Sequence, residues 1–326
     1  MTPQELHERV RAGGLLGAGE VVTMVSGGRD SVCLLDVAVA VRGADRVRAL
    51  HVNYGLRGRD SDEDERCTSE LCARLGVRLE LVRVGAEQRA LGERSNLQAW
   101  ARELRYRAAH RLVDELDADA DADGRAPIAT GHTASDQVET ILYRLAASPG
   151  RRALLGMAPR DGRLVRPLLD VTREQTGAYC EARALRWRDD ATNADNQYAR
   201  ARVRGALVPA LRAVHPAAER SVLRTAELLR GEAELLDGLV DAELAATPGE
   251  IAVARLAELH PALARLVVIR LAEDAAGEYV PQAGARLDEI LALGARGGVG
   301  EVHVGGRVSA RLSGGRLRMV RLPART

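Results

Sequence analysis

The chain has 326 residues, of which 46% are hydrophobic and 29% charged, a composition typical of globular proteins at a length typical of two domains. It contains no phenylalanine and no lysine, which excludes a Walker A phosphate loop and a lysine Schiff base because both need a lysine amine. The formal net charge is only +1, yet residues 151–230 hold 16 arginines against 9 acids. Such a region is compatible with a polyanionic partner and equally with a solvated arginine-rich surface.

Strands and helices are predicted to alternate over the first half of the chain. Apolar and alternating runs predict strands over 21–25, 47–52, 77–84 and 127–130. Helical patterns cover 32–41, 61–75, 96–116 and 135–146. This alternation predicts an α/β fold with a parallel, Rossmann-like sheet, whose ligands bind at the carboxyl ends of the strands.

The second half of the chain has a different character. Helices are predicted over 217–246, 251–275 and 281–293, and residues 300–321 alternate between Gly-Gly turns as a meander of two or three strands. The sequence therefore predicts a catalytic domain over 1–212. A smaller, mostly helical domain with a short β cap is predicted over 213–326.

Cysteine usage and hydropathy narrow the class of protein further. The four cysteines form no C-x-x-C pair and have no histidines at zinc-ligand spacing. Because no segment approaches 18 uncharged apolar residues, we expect no membrane span and a cytoplasmic location. The sequence leaves the oligomeric state open, with a homodimer among the alternatives.

The segment SGGRDS (Ser26–Ser31) lies between a predicted strand and a predicted helix. Gly27 and Gly28 let backbone N–H groups approach an oxyanion, and the positive end of the helix dipole points at the same place. Asp30 would repel a phosphate unless a cation lies between them, so we expect Mg²⁺ to bridge Asp30 and pyrophosphate oxygens. A Gly-Gly pair alone is more often an ordinary turn, but the full strand–loop–helix pattern favours a phosphate site.

SGGRDS resembles the PP-loop of the N-type ATP pyrophosphatases, which cleave ATP to AMP and pyrophosphate while adenylating an acceptor. Downstream segments are similar, in the same order, to those of the lysidine synthetase family within that superfamily. These segments are HVNYGLRGRDSDEDERC (51–67), NLQAWARELRYR (96–107), ATGHTASDQVETILYRL (129–145), GRRALLGM (150–157), LVRPLLDVTREQTGAYC (164–180) and WRDDATNADNQYARARVRGALVPAL (187–211).

The resemblance implies an activity and its substrates. Members of the family adenylate O2 of the wobble cytidine of an isoleucine tRNA with a CAU anticodon, using ATP and Mg²⁺. The ε-amine of free L-lysine then displaces AMP to give lysidine, so that the codon read changes from AUG to AUA. The second domain is expected to bind the tRNA.

The resemblance also implies roles for individual residues. The implied ATP-binding residues are Ser26, Gly27, Gly28, Arg29, Asp30, Ser31, His51, Gly131 and His132. The implied catalytic residues are Asp30, Asp136, Glu139, Arg102 and Arg204. Lysine or tRNA is expected to contact Asp136, Glu139, Asn193, Arg105, Arg200 and Arg204. Acids at i and i+3 lie on one helix face, where they could bind the lysine amines.

Four positions depart from the family pattern and have no implied role: Tyr54, Thr133, Ser135 and Ala201. Plainer interpretations also stay open. Asp136 and Glu139 could simply stabilise a helix dipole, Arg102 and Arg105 could lie on a solvated helix beside Glu103, and His132 could be a strand-end histidine. A tRNA-thiolating enzyme and a noncatalytic nucleotide- or RNA-binding protein are the alternative functions.

Overall fold

The computed structural model describes residues 1–93, 96–118, 125–147, 150–188, 199–297 and 299–323. These residues form two compact units, Met1–Thr225 and Ala226–Thr326. The boundary between the units lies inside a long helix, Ala218–Leu244, whereas the sequence-based domain boundary was placed after residue 212.

The first unit alternates strands and helices as the sequence predicts. Its strands are β1 (Val21–Met24), β2 (Val47–Asn53), β3 (Arg78–Arg83), β4 (Ile128–Ala129), β5 (Arg160–Asp161) and β6 (Leu164–Val165). Its helices begin with α1 (Pro3–Ala12), α2 (Arg29–Arg42), α3 (Arg59–Leu75), α4 (Ala86–Glu93) and α5 (Leu97–Ala118). They continue with α6 (Ala134–Ala147), α7 (Arg151–Leu155), α8 (Arg173–Ala182), α9 (Ala199–Arg202) and α10 (Val208–Val214).

The sheet of this unit has the order β3-β2-β1-β4-β6-β5, and every neighbouring pair is parallel except β5 with β6. Neighbouring residues of β1 face opposite sides: Val21 joins the apolar core formed with α1, α2 and α8, and Val22 joins the core against α5. Helices therefore cover both faces, which confirms the predicted α/β class. The loops that follow β1, β2, β4 and β6 leave the same edge of the sheet.

The second unit continues the helix α11 (Ala218–Leu244) into three further helices and one antiparallel sheet. The helices are α12 (Val253–Glu258), α13 (Pro261–Ala276) and α14 (Leu287–Ala295), and a 3₁₀ turn covers Pro281–Arg286. The strands β7 (Glu250–Ala252), β8 (Gly300–Gly305), β9 (Val308–Ser313) and β10 (Arg316–Arg321) pair in the order β7-β10-β9-β8. A mostly helical unit with a β cap is thus confirmed.

The prediction of one continuous helix over 251–275 is wrong. Residues 250–252 instead pair with β10, and the helix that follows ends before Pro261. Proline disfavours helical backbone at the preceding residue and lacks an N–H, so His260 becomes an N-cap whose side chain accepts a hydrogen bond from the Ala262 N–H (3.2 Å). No helix of the described residues is long and apolar enough to cross a membrane.

Candidate active site

The loop between β1 and α2 is a compact turn. Gly27 has φ +85°, a conformation that residues with a side chain rarely adopt. The Ser31 hydroxyl donates to the Gly28 carbonyl (2.8 Å) and accepts from the Ser26 N–H (3.1 Å). These bonds fold Ser26–Ser31 over the N-terminus of α2, where the first N–H groups of the helix lack intrahelical partners.

Gly131 lies directly against this turn. A Cβ atom added at Gly131 would lie 2.9 Å from both the carbonyl carbon and the carbonyl oxygen of Asp30, and 3.0 Å from the Ser31 nitrogen. Only glycine therefore lets the backbone after β4 approach the first turn of α2 so closely. This contact brings two sequence-predicted segments, Ser26–Ser31 and the one that starts at Gly131, to one place.

Three carboxylates predicted from the sequence meet around one arginine that the sequence reasoning did not select. Arg173, the first residue of α8, lies 2.8 Å from Asp136 Oδ1, 3.2 Å from Glu139 Oε1 and 3.5 Å from Asp30 Oδ2. Burial alone would lower the pKa of the Arg173 guanidinium, but the three carboxylates outweigh burial and raise that pKa. Arg173 thus connects the nucleotide loop with the acidic face of α6.

A second arginine, Arg204, also pairs with the acids of α6. Its Nε and Nη2 donate to the two carboxylate oxygens of Glu139, at 2.6 and 3.0 Å, in a bidentate pair. Glu139 itself is only 4% exposed. Arg204 lies in a π-helical turn, Val203–Leu207, a rare geometry often found at functional sites.

Asp136 has a structural role as well as a place in this cluster. Its Oδ2 accepts hydrogen bonds from the Thr133 N–H and hydroxyl, both at 2.8 Å, and caps the start of α6. The Ser135 hydroxyl accepts from the Arg173 N–H (3.2 Å). Two of the positions that depart from the family pattern, Thr133 and Ser135, therefore hold Asp136 and Arg173 in place.

Thr176 is a second residue that the sequence reasoning missed. Its hydroxyl donates to Asp30 Oδ1 (2.5 Å), so both oxygens of this carboxylate have contacts from α8. Arg173 and Thr176 both lie in a segment that carries the family resemblance. The signal that could have revealed them is charge balance, because three acids at adjoining strand ends need buried donors.

His132 lies beside the acidic cluster among arginines. It shares a hydrogen bond with the Thr130 hydroxyl (2.8 Å). Burial lowers the pKa of its imidazole to about 4; Asp136 opposes this shift, whereas Arg166, Arg200 and Arg102 add to it. His132 is therefore neutral near pH 7 and lies in a cationic environment.

His51 is a buried residue of β2 and contacts the backbone just before the nucleotide loop. Its Nδ1 donates to the Val25 carbonyl (2.8 Å), and burial lowers the pKa of the imidazole. Among the described residues, its buried Nε2 has no hydrogen-bond partner, which leaves an unused acceptor next to the loop. Nearby, the Asn53 amide donates to Glu65 (2.8 Å) and its carbonyl oxygen accepts from the Gly55 N–H.

The predicted arginines of helix α5 contact an aromatic ring rather than the acidic cluster. The guanidinium of Arg102 stacks 4.6 Å from the Tyr106 ring centroid, and that of Arg105 lies 6.0 Å from it. The described contacts do not pair either arginine with Asp136 or Glu139. The hydroxyl of Tyr54, which departs from the family pattern, anchors this helix by donating to the Ala101 carbonyl (2.8 Å).

Two predicted contact residues remain. Arg200 is exposed on α9 and lies close enough to His132 to affect its pKa. Asn193 lies outside the described residues. Within the described ranges, no group of three or more histidines, cysteines or acids could hold a metal ion by itself.

A nucleotide loop at the carboxyl end of β1, a close glycine contact from β4 and converging charged groups define an ATP-binding α/β domain of the PP-loop type. Residues 4–211 match the family model described as a PP-loop domain. The chain belongs to this family, and the match supports the use of ATP.

Individual proteins similar to this chain extend the comparison. A tRNA(Ile)-lysidine synthase of Dehalococcoides mccartyi is 32% identical over 295 residues, covering 85% of this chain and 61% of the relative. The tRNA(Ile)-lysidine synthase of Geobacter sulfurreducens is 41% identical over 230 residues, covering 69% and 47%. The chain thus matches about half to three fifths of the length of these curated relatives.

A solved structure supports the fold alone. The U34-tRNA thiolase of Methanococcus maripaludis, described with its [4Fe-4S] cluster, aligns with a TM-score of 0.55 at 17% identity. The alignment covers 70% of this chain and 79% of that chain.

Proposed function

We propose that this chain ligates free L-lysine to C2 of the wobble cytidine of tRNA(Ile) with a CAU anticodon, giving lysidine, AMP and pyrophosphate. The observation that carries the proposal is the junction at Arg173, where the acid of the nucleotide loop, Asp30, meets the acids of α6, Asp136 and Glu139. A reaction that adenylates one substrate and then attacks it with an amine needs both sites side by side. The names of the relatives support the same reaction.

In the first half-reaction, O2 of cytidine attacks the α-phosphorus of ATP and pyrophosphate leaves. The N–H groups of the Ser26–Ser31 turn, with the start of α2, would bind the phosphates and stabilise the leaving charge. Arg29, His51, Gly131 and His132 surround the same loop in our assignment of the ATP site. The open Nε2 acceptor of His51 supports a ligand there.

Asp30 is the carboxylate that would hold Mg²⁺ in this site. Mg²⁺ is usually bound by one or two carboxylates together with substrate phosphates and water, so a single protein carboxylate fits the lack of a complete metal-binding group in the described chain. When bound, the ion would neutralise phosphate charge. Thr176 and Arg173 orient the two oxygens of Asp30 for this role.

The charge balance of the cluster suits an ammonium group. Asp30, Asp136 and Glu139 contribute three negative charges, and Arg173 and Arg204 contribute two positive charges. The one remaining negative charge would attract both the magnesium ion at Asp30 and a lysine ammonium group beside Asp136 and Glu139. Arg204, together with Arg102, Arg105, Arg200 and Asn193, is assigned to the lysine carboxylate or the RNA.

In the second half-reaction, the neutral ε-amine of lysine attacks C2 of the adenylated cytidine and AMP leaves with the bonding pair of the C2–O bond. A proton must leave the attacking nitrogen, and Asp136 or Glu139 is placed to accept it. Hydrogen bonds from Arg173 and Arg204 hold these two carboxylates in place, which supports the assignment.

The cysteines disfavour thiolation as the alternative. Cys33, Cys72 and Cys180 are buried, and burial raises the pKa of the Cys72 thiol to about 11. Cys67 is partly exposed, but its thiol lies 3.9 Å from a carboxylate oxygen of Glu63 and has no second cysteine at C-x-x-C spacing. A sulfur-transferring enzyme needs an accessible, low-pKa thiol or a cluster ligand set. We also propose a cytoplasmic location and leave a homodimer as a prediction.

The test is incorporation of radiolabelled lysine into unmodified tRNA(Ile) with a CAU anticodon, with and without ATP. Incorporation that needs ATP and releases AMP in equal amount is the expected result. Pyrophosphate release that depends on tRNA, without incorporation of lysine, would keep the adenylating half and refute lysine as the nucleophile. If neither product is formed, the proposal as a whole is refuted.

A further inference from the structure

Four arginines from four elements lie close to one another, and three of them lie near His132. We call Arg102, Arg144, Arg166, Arg200 and His132 the basic cluster. Arg102 comes from α5, Arg144 from α6, Arg166 from the end of β6 and Arg200 from α9. Arg166, Arg200 and Arg102 lie near His132, and Arg144 lies near both Arg166 and Arg200.

The cluster is built into the fold rather than scattered over its surface. Arg166 is only 5% exposed, and its Nη1 donates to the Ala158 carbonyl (2.5 Å). Arg144 donates to the Gly156 carbonyl (2.5 Å). Between them, the buried Gln137 amide accepts from the Met157 N–H (2.6 Å) and donates to its carbonyl (2.8 Å). The segment 156–158 therefore fixes both guanidinium groups.

Among the residues that the structure describes, the positive charge of this cluster has little compensation from acids. The hydrogen bonds of Arg144 and Arg166 within the described chain go to neutral carbonyls, and neither forms an ion pair there. The buried Nε of Arg166 also has no partner among the described residues. Asp161 and Tyr106 act on Arg166 only through space, and Asp136 is already bound by Arg173.

Such an arrangement is costly without an anion. Buried charges in proteins are normally paired, and like charges held close together repel each other. Two partly desolvated guanidinium groups that face two further arginines and a neutral histidine thus point to a ligand with more than one negative charge. A single carboxylate would neutralise only one of the four arginines.

We propose that the basic cluster binds the RNA backbone phosphates on either side of the reacting nucleotide. This inference rests on the proposed function, because it takes the substrate to be RNA. The cluster adjoins Asp136 through His132, so phosphates bound there would present the intervening base to the carboxylates and the nucleotide loop. Arg102 and Arg200, which are exposed, would contact the phosphates first. Phosphate contacts of this kind position RNA without reading its sequence.

The probe is an RNA hairpin that carries the CAU anticodon loop, tested on the full chain. Arg200→Gln and Arg144→Gln each remove one charge, and glutamine at residue 144 keeps an N–H donor for the Gly156 carbonyl. The matched control is Arg46→Gln, an exposed arginine in the same unit before the amino end of β2. Each cluster variant should weaken hairpin binding by about five- to tenfold and lower the slope of log K against log salt by about one, whereas the control should do neither.

A second readout follows His132 itself. The C–H signals of its imidazole, assigned by their loss in His132→Gln, are titrated against pH by NMR in the free protein, with the hairpin and with lysine. Bound phosphates should raise the pKa of His132 from about 4 toward the ordinary histidine value, since anions favour the charged form.

The outcomes separate this inference from the proposed function. A shift caused by lysine but not by the hairpin, with lysine binding lost in Arg144→Gln, would make the cluster a carboxylate site and overturn the inference. An unchanged salt slope in both cluster variants would also overturn it, even where wild-type protein incorporates lysine. Hairpin binding with the expected slopes but without lysine incorporation would support the cluster and refute the proposed ligation.

Discussion

Arg173 lies between the acid of the nucleotide loop, Asp30, and the acids of α6. Substitutions of Asp30 and of Asp136 should therefore affect the two half-reactions differently. We expect Asp30→Asn to abolish ATP-dependent pyrophosphate release, because the carboxylate that would balance phosphate charge through Mg²⁺ is lost. Asp136→Asn should retain more of the pyrophosphate release than of the lysine transfer, since Asp136 belongs to the amine side of the cluster.

Both half-reactions should be measured on the same preparations, by pyrophosphate release and by lysine incorporation. Asp170→Asn is a suitable control, because Asp170 is exposed and pairs only with the exposed Arg9 in the described contacts. Equal loss of both half-reactions in Asp136→Asn would contradict the separate roles assigned to the two acids.

Gly131 allows a second test at the residue scale. Gly131→Ala would place a Cβ 2.9 Å from the backbone of Asp30, so we expect it to destabilise the fold by about 1–3 kcal/mol and to weaken ATP binding. Denaturant unfolding and nucleotide titration measure the two effects. Gly85→Ala is the matched control: an added Cβ there meets no atom within 4 Å, and its unfolding free energy should change by less than about 0.5 kcal/mol. Wild-type stability in Gly131→Ala would contradict the close contact.

At the scale of elements, α2 and α8 set the position of Asp30 relative to Arg173 and Thr176. Farther along both helices, six residues after Asp30 and Arg173, the Tyr179 hydroxyl donates to the buried Asp36 carboxylate (2.6 Å). Arg183 donates to both oxygens of Asp36. His7 of α1 lies 2.8 Å from the same hydroxyl. This network, centred on the buried Asp36, joins α8 to α2.

Tyr179→Phe removes one hydrogen bond to a buried charge without changing the packing of the ring. We expect it to lower the free energy of unfolding by about 1–3 kcal/mol, measured by denaturant unfolding. Tyr143→Phe, on the exposed part of α6, should leave stability near the wild-type value. Equal effects of the two substitutions would show that Asp36 does not depend on Tyr179.

The elements also show what sequence patterns can and cannot predict. Strong periodicity predicted strands β1 to β4 and helices α2, α3, α5 and α6 of the first unit, and SGGRDS predicted the nucleotide loop, because these signals are local. The short strands β5 and β6 and the remaining helices of this unit were not predicted. The helix predicted over 251–275 failed at Pro261 and at a short strand whose partner, β10, lies far along the chain. The role of Arg173 and the π-helical turn at Arg204 could not be predicted from the sequence either. Contacts among several charged groups and irregularities within helices depend on tertiary packing.

At the scale of the whole molecule, the first unit contains every described residue of the proposed site. The segments that match the PP-loop family end at residue 211, before the second unit begins at Ala226. We expect the second unit to affect the affinity for full-length tRNA rather than the chemistry.

One pH dependence of stability follows from the burial of His132 and, secondarily, from its cationic surroundings. Its pKa is about 4 in the folded chain and near 6.5 in an unfolded one. As the pH falls from about 6.5 to about 4, the unfolded state binds a proton that the folded state does not, so the free energy of unfolding decreases. His132→Gln removes this proton uptake, and its unfolding free energy should fall less steeply than that of the wild type over the same window. Chemical denaturation at a series of pH values measures the difference, with His110→Gln on the exposed side of α5 as the control. Parallel curves for His132→Gln and wild type would mean that burial and the surrounding arginines do not hold His132 neutral.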